Sequence, residues 1–97
     1  MSAIMIALAT VNPNAKEQAA EYSEGVKPLL QQYGGKPVAR YPITDQLLGE
    51  HNANVLLQIE FDDTEAVSTF LNSDEYSALI PVRNAGFSSM QIYVSEG

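Results

Sequence analysis

Five side chains carry the chemistry that this sequence offers: His51, Glu60, Arg83, Arg40 and Tyr93. His51 is the chain's one histidine, and an imidazole is the general base most readily available near neutral pH. It lies in a polar stretch beside Glu50 and Asn52, where a solvated loop residue is the alternative reading. Glu60 sits inside an apolar run, where a partly buried carboxylate can hold or release a proton. Arg83 stands among Ile80, Val82 and Ala85, and an inward guanidinium there grips a carboxylate in a two-pronged fork. The alternative is an ion pair to Glu60, Asp74 or Glu75. Arg40 could line a cleft or a seam between copies, or remain a solvated cation that discourages edge pairing. Tyr33, Tyr41, Tyr76 and Tyr93 could offer hydroxyls to an acidic or aromatic ligand. Tyr93 is the best placed of them, while aromatics at helical spacing more often form core.

Other chemistries find no residues. There is no cysteine, which removes disulfides, thiolate metal sites and cysteine nucleophiles. No HxH, HExxH or acidic loop has ligand spacing, so no metal is expected. A lone loop histidine is a thin basis for haem, and no cofactor is expected. Neither GxGxxG nor GxSxG occurs. Five basic residues against twelve acidic ones give a net charge of −7, so there is no positive footprint for nucleic acid.

The elements that must position these groups follow from pattern. The 97 residues are the length of one domain, expected over 1–97. Ala3 to Val11 reads as a strand apolar on both faces. Asn12-Pro13 reads as a helix cap with proline in the first turn. Ala15, Ala19, Tyr22, Val26, Leu29 and Tyr33 recur at helical steps. Pro28 inside that stripe should kink or split the helix near Gly25. Gly34-Gly35 ends it. Lys36 to Ile43 is a strand that Pro37 and Pro42 push to an edge. Thr44 to Asn54 is a polar loop, and Val55 to Phe61 a third strand. Asp62 with Glu65 reads as a capping box, Ser73 caps a further helical segment, and Gly86 ends it. Met90, Ile92 and Val94 alternate as a last strand.

This order is βαββαβ, an α+β ferredoxin-like plait in which both helices cover one sheet face. Its other face should be polar if it meets water. The alternation instead places Met5, Ala7, Ala9, Leu56 and Tyr93 there, with Gln58, Glu60 and Gln91. Such a patch predicts a homodimer joined sheet to sheet. The apolar N-terminus is short and lacks a basic lead, so neither a signal peptide nor a membrane span is expected. The expected address is cytoplasmic.

The chain resembles the small proteins grouped as domain of unknown function thirteen-thirty, within the dimeric α+β barrel superfamily. Tyr33-Gly34-Gly35-Lys36, Leu57-Gln58-Ile59-Glu60-Phe61, Ala66 with Phe70, and Ser73-Asp74-Glu75-Tyr76 leading to Leu79, Arg83 and Ala85 carry the resemblance. It implies a dimer whose sheets form a barrel, with a cleft in each subunit between sheet and helices. Superfamily relatives include antibiotic-biosynthesis monooxygenases, muconolactone isomerases and haem-dependent enzymes. This chain departs from the family in its middle loop, where members often carry a Trp-Pro pair; it has no tryptophan. Two functions are expected as alternatives: a cofactor-independent enzyme acting on a small acidic or aromatic molecule in the cleft, or a non-catalytic, stress-related dimer that binds a small ligand.

Overall fold

A computed structural model describes residues 2–50 and 53–96. The strands are β1 (Ala3–Val11), β2 (Lys36–Pro42), β3 (Val55–Phe61) and β4 (Phe87–Glu96), and the helices are α1 (Lys16–Gln32), α2 (Thr64–Leu71), α3 (Asp74–Ser77) and α4 (Ile80–Gly86). The four strands form one sheet in the order β2-β3-β1-β4, with every neighbouring pair antiparallel. This is the ferredoxin-like α+β plait. β2 takes an edge, where Pro37 and Pro42 cost no interior ladder bonds, and its register shifts between Pro37 and Ala39.

Several boundaries differ from the sequence reading, each for a local reason. α1 starts at Lys16 with no side-chain cap. Asn12 instead accepts from the Asn14 backbone at 3.0 Å and receives the Ala15 N–H on its carbonyl, which makes a turn before the helix. The Asn12 backbone N–H donates to Gly86 O at 2.9 Å, joining the first crossover to the second. Pro28 does not split α1, which runs unbroken to Gln32. Position 28 faces solvent, so water can take the carbonyl that Pro28 leaves without a donor. The helix ends where Gly34 turns to φ +84, a conformation glycine adopts freely, and Gly35 N–H closes on Leu30 O at 2.7 Å. Asp63, not Asp62, caps α2, accepting from Ala66 N–H at 2.8 Å. Ser73 caps α3 through Tyr76 N–H at 3.1 Å, as its position before an acidic turn predicts. The last strand begins at Phe87, directly after the Gly86 stop, because Phe87 already pairs with Val11.

The two sheet faces are exchanged on β1. Residues directly opposite across an antiparallel pair share a face. Met5 opposes Ile59 and Val94, while Ile6 opposes Gln58 and Tyr93. Ala3, Met5, Ile59 and Phe61 belong to the core with Tyr22, Leu30, Val67, Phe70 and Tyr76. The helix-covered face therefore holds Met5, Ala7 and Ala9, and the outer face holds Ile4, Ile6 and Leu8. A strand apolar on both sides gives alternation nothing to choose between, so only the pairing decides.

Phe61, Phe70 and Tyr76 are the largest fully buried side chains. The Phe70 ring lies 5.1 Å from Tyr76 and 5.8 Å from Phe61, which locks α2 and α3 to β3. Gly86 sits against α1. A Cβ built there would lie 2.6 Å from Ala19 Cα and 2.8 Å from Gln18 C. Both obstacles are backbone, so neither can swing aside. Gly86→Ala is expected to destabilise the fold by about 3 kcal/mol, the upper end for overpacking, and to lower Tm by roughly 15 °C for a domain this small. A thermal melt followed by circular dichroism checks this, and an unchanged melting point would show that the two helices can separate without cost.

Candidate functional site

The helix-side face of the sheet does not close completely against α1. The α1 backbone approaches α4 more closely than any strand. The residues facing each other across the gap include Ala7, Ala9, Ala19 and Ala20. Methyl groups are too short to fill the space between a helix and a sheet that stand this far apart. A cleft of about 590 Å³ results, walled by Val26, Leu30, Leu57 and Ile92. That size is typical of small-molecule sites.

Its polar groups are few. Arg40 and Lys27 line the cleft together with Ser23 and Tyr22. Arg40 reaches it because Arg40 opposes Leu57 on the helix-side face. Lys27 comes from α1, with its Nζ 3.3 Å from Glu24 and both side chains largely in water. Two of the chain's five cations thus line the cleft of a protein carrying −7. Among the described residues, the cleft wall carries no carboxylate and no imidazole.

At its other end the cleft meets a buried polar chain. Tyr22 lies edge-on to Phe87, with ring centroids 5.5 Å apart, and both rings line the cleft. The Tyr22 hydroxyl is 2.9 Å from that of Tyr76. Arg83 Nη1 donates to the Tyr76 hydroxyl at 3.0 Å, and its guanidinium lies 5.7 Å from the Tyr76 ring centre. Arg83 Nη2 donates to Asn84 Oδ1 at 3.4 Å. Arg83 therefore serves a tyrosine pair. No ion pair to Glu60, Asp74 or Glu75 forms among the described residues. Burial pushes the Tyr22 phenol well above its ordinary 10.0; the Tyr76 hydroxyl reinforces this and the Arg83 charge opposes it. Glu75 is pulled the other way, below its ordinary 4.5, first by its own backbone N–H and then by the Tyr33 hydroxyl, which donates to it at 3.1 Å.

The sequence-predicted residues do not converge on one place. Arg40 lines the cleft. Arg83 acts behind the wall through Tyr76. Glu60 opposes Ile4 and Lys36, and Tyr93 opposes Ile6, so both lie on the outer sheet face, with Tyr93 53% exposed. His51 lies outside the described residues. Tyr22 and Lys27 were missed as site residues. The signal that could have found them was the run of alanines at helix- and strand-facing positions, which marks unfilled space. No group of three or more His, Asp or Glu among the described residues could hold a metal, and no described helix is long and apolar enough to cross a membrane.

The family model of a domain of unknown function, DUF1330, matches residues 3–97. The chain belongs to this family. No curated protein sequence matches it. A protein of unknown function from Rhodopseudomonas palustris superposes with a TM-score of 0.83 at 17% identity, over 99% of this chain and 82% of its own. A dabb family protein with a ferredoxin-like fold from Mesorhizobium loti does so at 0.69 and 11% identity, over 99% and 96%. A dimeric protein of unknown function and ferredoxin-like fold from Bacteroides fragilis does so at 0.63 and 15%, over 99% and 96%. Likeness at these identities establishes the plait for this family member and leaves its chemistry to the side chains.

The tyrosine chain makes two testable statements. Tyr76→Phe removes both hydrogen bonds of the chain, to Tyr22 and from Arg83, whereas Tyr22→Phe removes one and leaves Tyr76 bonded to Arg83. Tyr76→Phe should therefore cost about 2 kcal/mol and Tyr22→Phe about 1 kcal/mol in urea unfolding. The reverse order would overturn the arrangement. A raised phenol contributes stability that is complete below its unfolded value of 10.0 and is lost as pH climbs past it. The urea midpoint should fall from about pH 10 upward, and Tyr22→Phe should flatten that fall.

Proposed function

We propose that this protein is a homodimer that binds a small, mostly apolar acid in the cleft between α1 and the sheet. The observation that carries the reading is the pairing of an apolar cavity of about 590 Å³ with Arg40 and Lys27 in its lining. Cations lining the cleft of an acidic protein favour an anionic head group, and the apolar interior takes the apolar body. The lack of a carboxylate or imidazole among the described wall residues favours binding over acid–base turnover. Glu60 lies on the other side of the sheet from the cleft, so a catalytic reading rests on His51. Loss of any turnover in His51→Ala, with ligand affinity kept, would favour it.

The dimer reading rests on the outer sheet face. Ile4, Ile6, Leu8 and Leu56 are half-buried there and Tyr93 is exposed, and no described element of the chain covers them. A second copy on a two-fold axis would bury the patch against itself. The Bacteroides fragilis protein of the same fold is described as dimeric, which supports the reading. A reducing compartment such as the cytoplasm suits a chain without cysteine.

Titration calorimetry with undecanoate tests the cleft. Arg40→Gln should weaken binding about tenfold, the value of one charge-assisted contact. Ala7→Leu should abolish binding while leaving the fold intact, because its side chain enters the cavity. Unaltered affinity in both would refute the cleft as the site. For the dimer, sedimentation should give a two-chain species for the wild type and a monomer for Ile6→Lys. A wild type that stays monomeric at micromolar concentration would refute the sheet interface.

A further inference from the structure

The hydroxyl chain behind the cleft has one proton too many. Arg83 can only donate, so its bond to Tyr76 occupies the Tyr76 oxygen as an acceptor. Tyr76 and Tyr22 then share one hydrogen bond at 2.9 Å, with two hydroxyl protons between them. One of the two protons has no acceptor among the described residues. Tyr76 is 1% exposed and does not line the cleft, and among the described residues the acceptor bonded to its hydroxyl is the Tyr22 oxygen. A buried donor left without an acceptor costs more than a bond is worth. The chain therefore runs outward to inward: Arg83 donates to Tyr76, Tyr76 to Tyr22, and the Tyr22 proton is left over. Tyr22 is the one member of the chain that lines the cleft.

We propose that Tyr22 is a binding residue, donating its hydroxyl proton to an oxygen of the molecule held in the cleft. This rests on the cleft reading above and narrows the ligand class. Because Arg83 holds the Tyr76 oxygen as an acceptor, the Tyr22 proton is the one left to face the cleft. Arg40 lies on β2 and Phe87, packed on Tyr22, lies on β4. Those strands are three spacings apart in the sheet, roughly 14 Å. The two polar ends of the cleft are thus separated by an apolar floor. The matching ligand is an elongated acid with its carboxylate at Arg40 and a second oxygen, carbonyl or hydroxyl, near the far end. A plain hydrocarbon chain would leave the Tyr22 proton unpaired.

The test compares undecanoate with 10-oxoundecanoate by calorimetry on the whole protein. The wild type should bind the keto acid about fivefold more tightly, the value of one neutral hydrogen bond. Tyr22→Phe should bring the ratio to one by weakening the keto acid alone. Arg83→Met, a change at a half-exposed position, should keep the fold and reduce the ratio by freeing the Tyr76 oxygen to accept the Tyr22 proton, which a purely structural Arg83 would not do. If both acids bind equally to the wild type, or if Tyr22→Phe and Arg83→Met both leave the preference intact, the proposal is overturned while the cleft stands. If neither acid binds, both are overturned. Should Tyr22→Phe fail to fold, the Arg83→Met ratio decides by itself.

Discussion

The close seating of α4 on α1 governs the rest of the molecule. Gly86 meets the α1 backbone at Gln18 and Ala19, and its carbonyl takes the N–H of Asn12. One residue without a side chain thus joins the two crossovers of the plait. α1 is held to α4 at this point, and to the sheet through core side chains that include Leu29 and Leu30. Alanines on both sides of the gap then leave it open. The cleft is a consequence of helix–helix contact and of small residues facing each other.

The same seating builds the polar wall. α1 brings Tyr22, the segment capped by Ser73 brings Tyr76, and α4 brings Arg83. Three elements contribute one group each to a chain of two hydrogen bonds in a core otherwise made of apolar side chains. Such a chain holds only if every donor but the last finds an acceptor, and in the proposal above the Tyr22 proton is the last. Arg83 is better understood as the charged end of this chain than as a partner for an acidic side chain. Tyrosines in a core often satisfy their hydroxyls locally; here two hydroxyls share one hydrogen bond and Arg83 donates to the second.

The outer face of the sheet has a different character. Ile4, Ile6 and Leu8 run down its middle, and Glu60, Gln58 and Gln91 lie around them. Relative to the alternation reading, Ile4, Ile6 and Leu8 lie outward and Met5 with two alanines, Ala7 and Ala9, inward. The outer patch is therefore more apolar than alternation predicts, and the inner face less filled. Both proposed surfaces, interface and cleft, depend on this division of the β1 side chains.

Element order, the edge position of β2, the Ser73 cap and the stops at Gly34 and Gly86 were legible in the sequence, because each depends on residues near one another in the chain. Proline cannot donate, glycine tolerates a left-handed turn, and a hydroxyl before an acidic turn caps a helix wherever the chain runs. The family was legible for the same reason, through local runs taken together. The partners of Arg83, the outward position of Glu60 and Tyr93, and the place of Tyr22 were not. Each depends on which face of β1 meets the helices, and a strand apolar on both sides does not encode that choice locally. Pairing with β3 and β4, across more than forty residues of chain, made it.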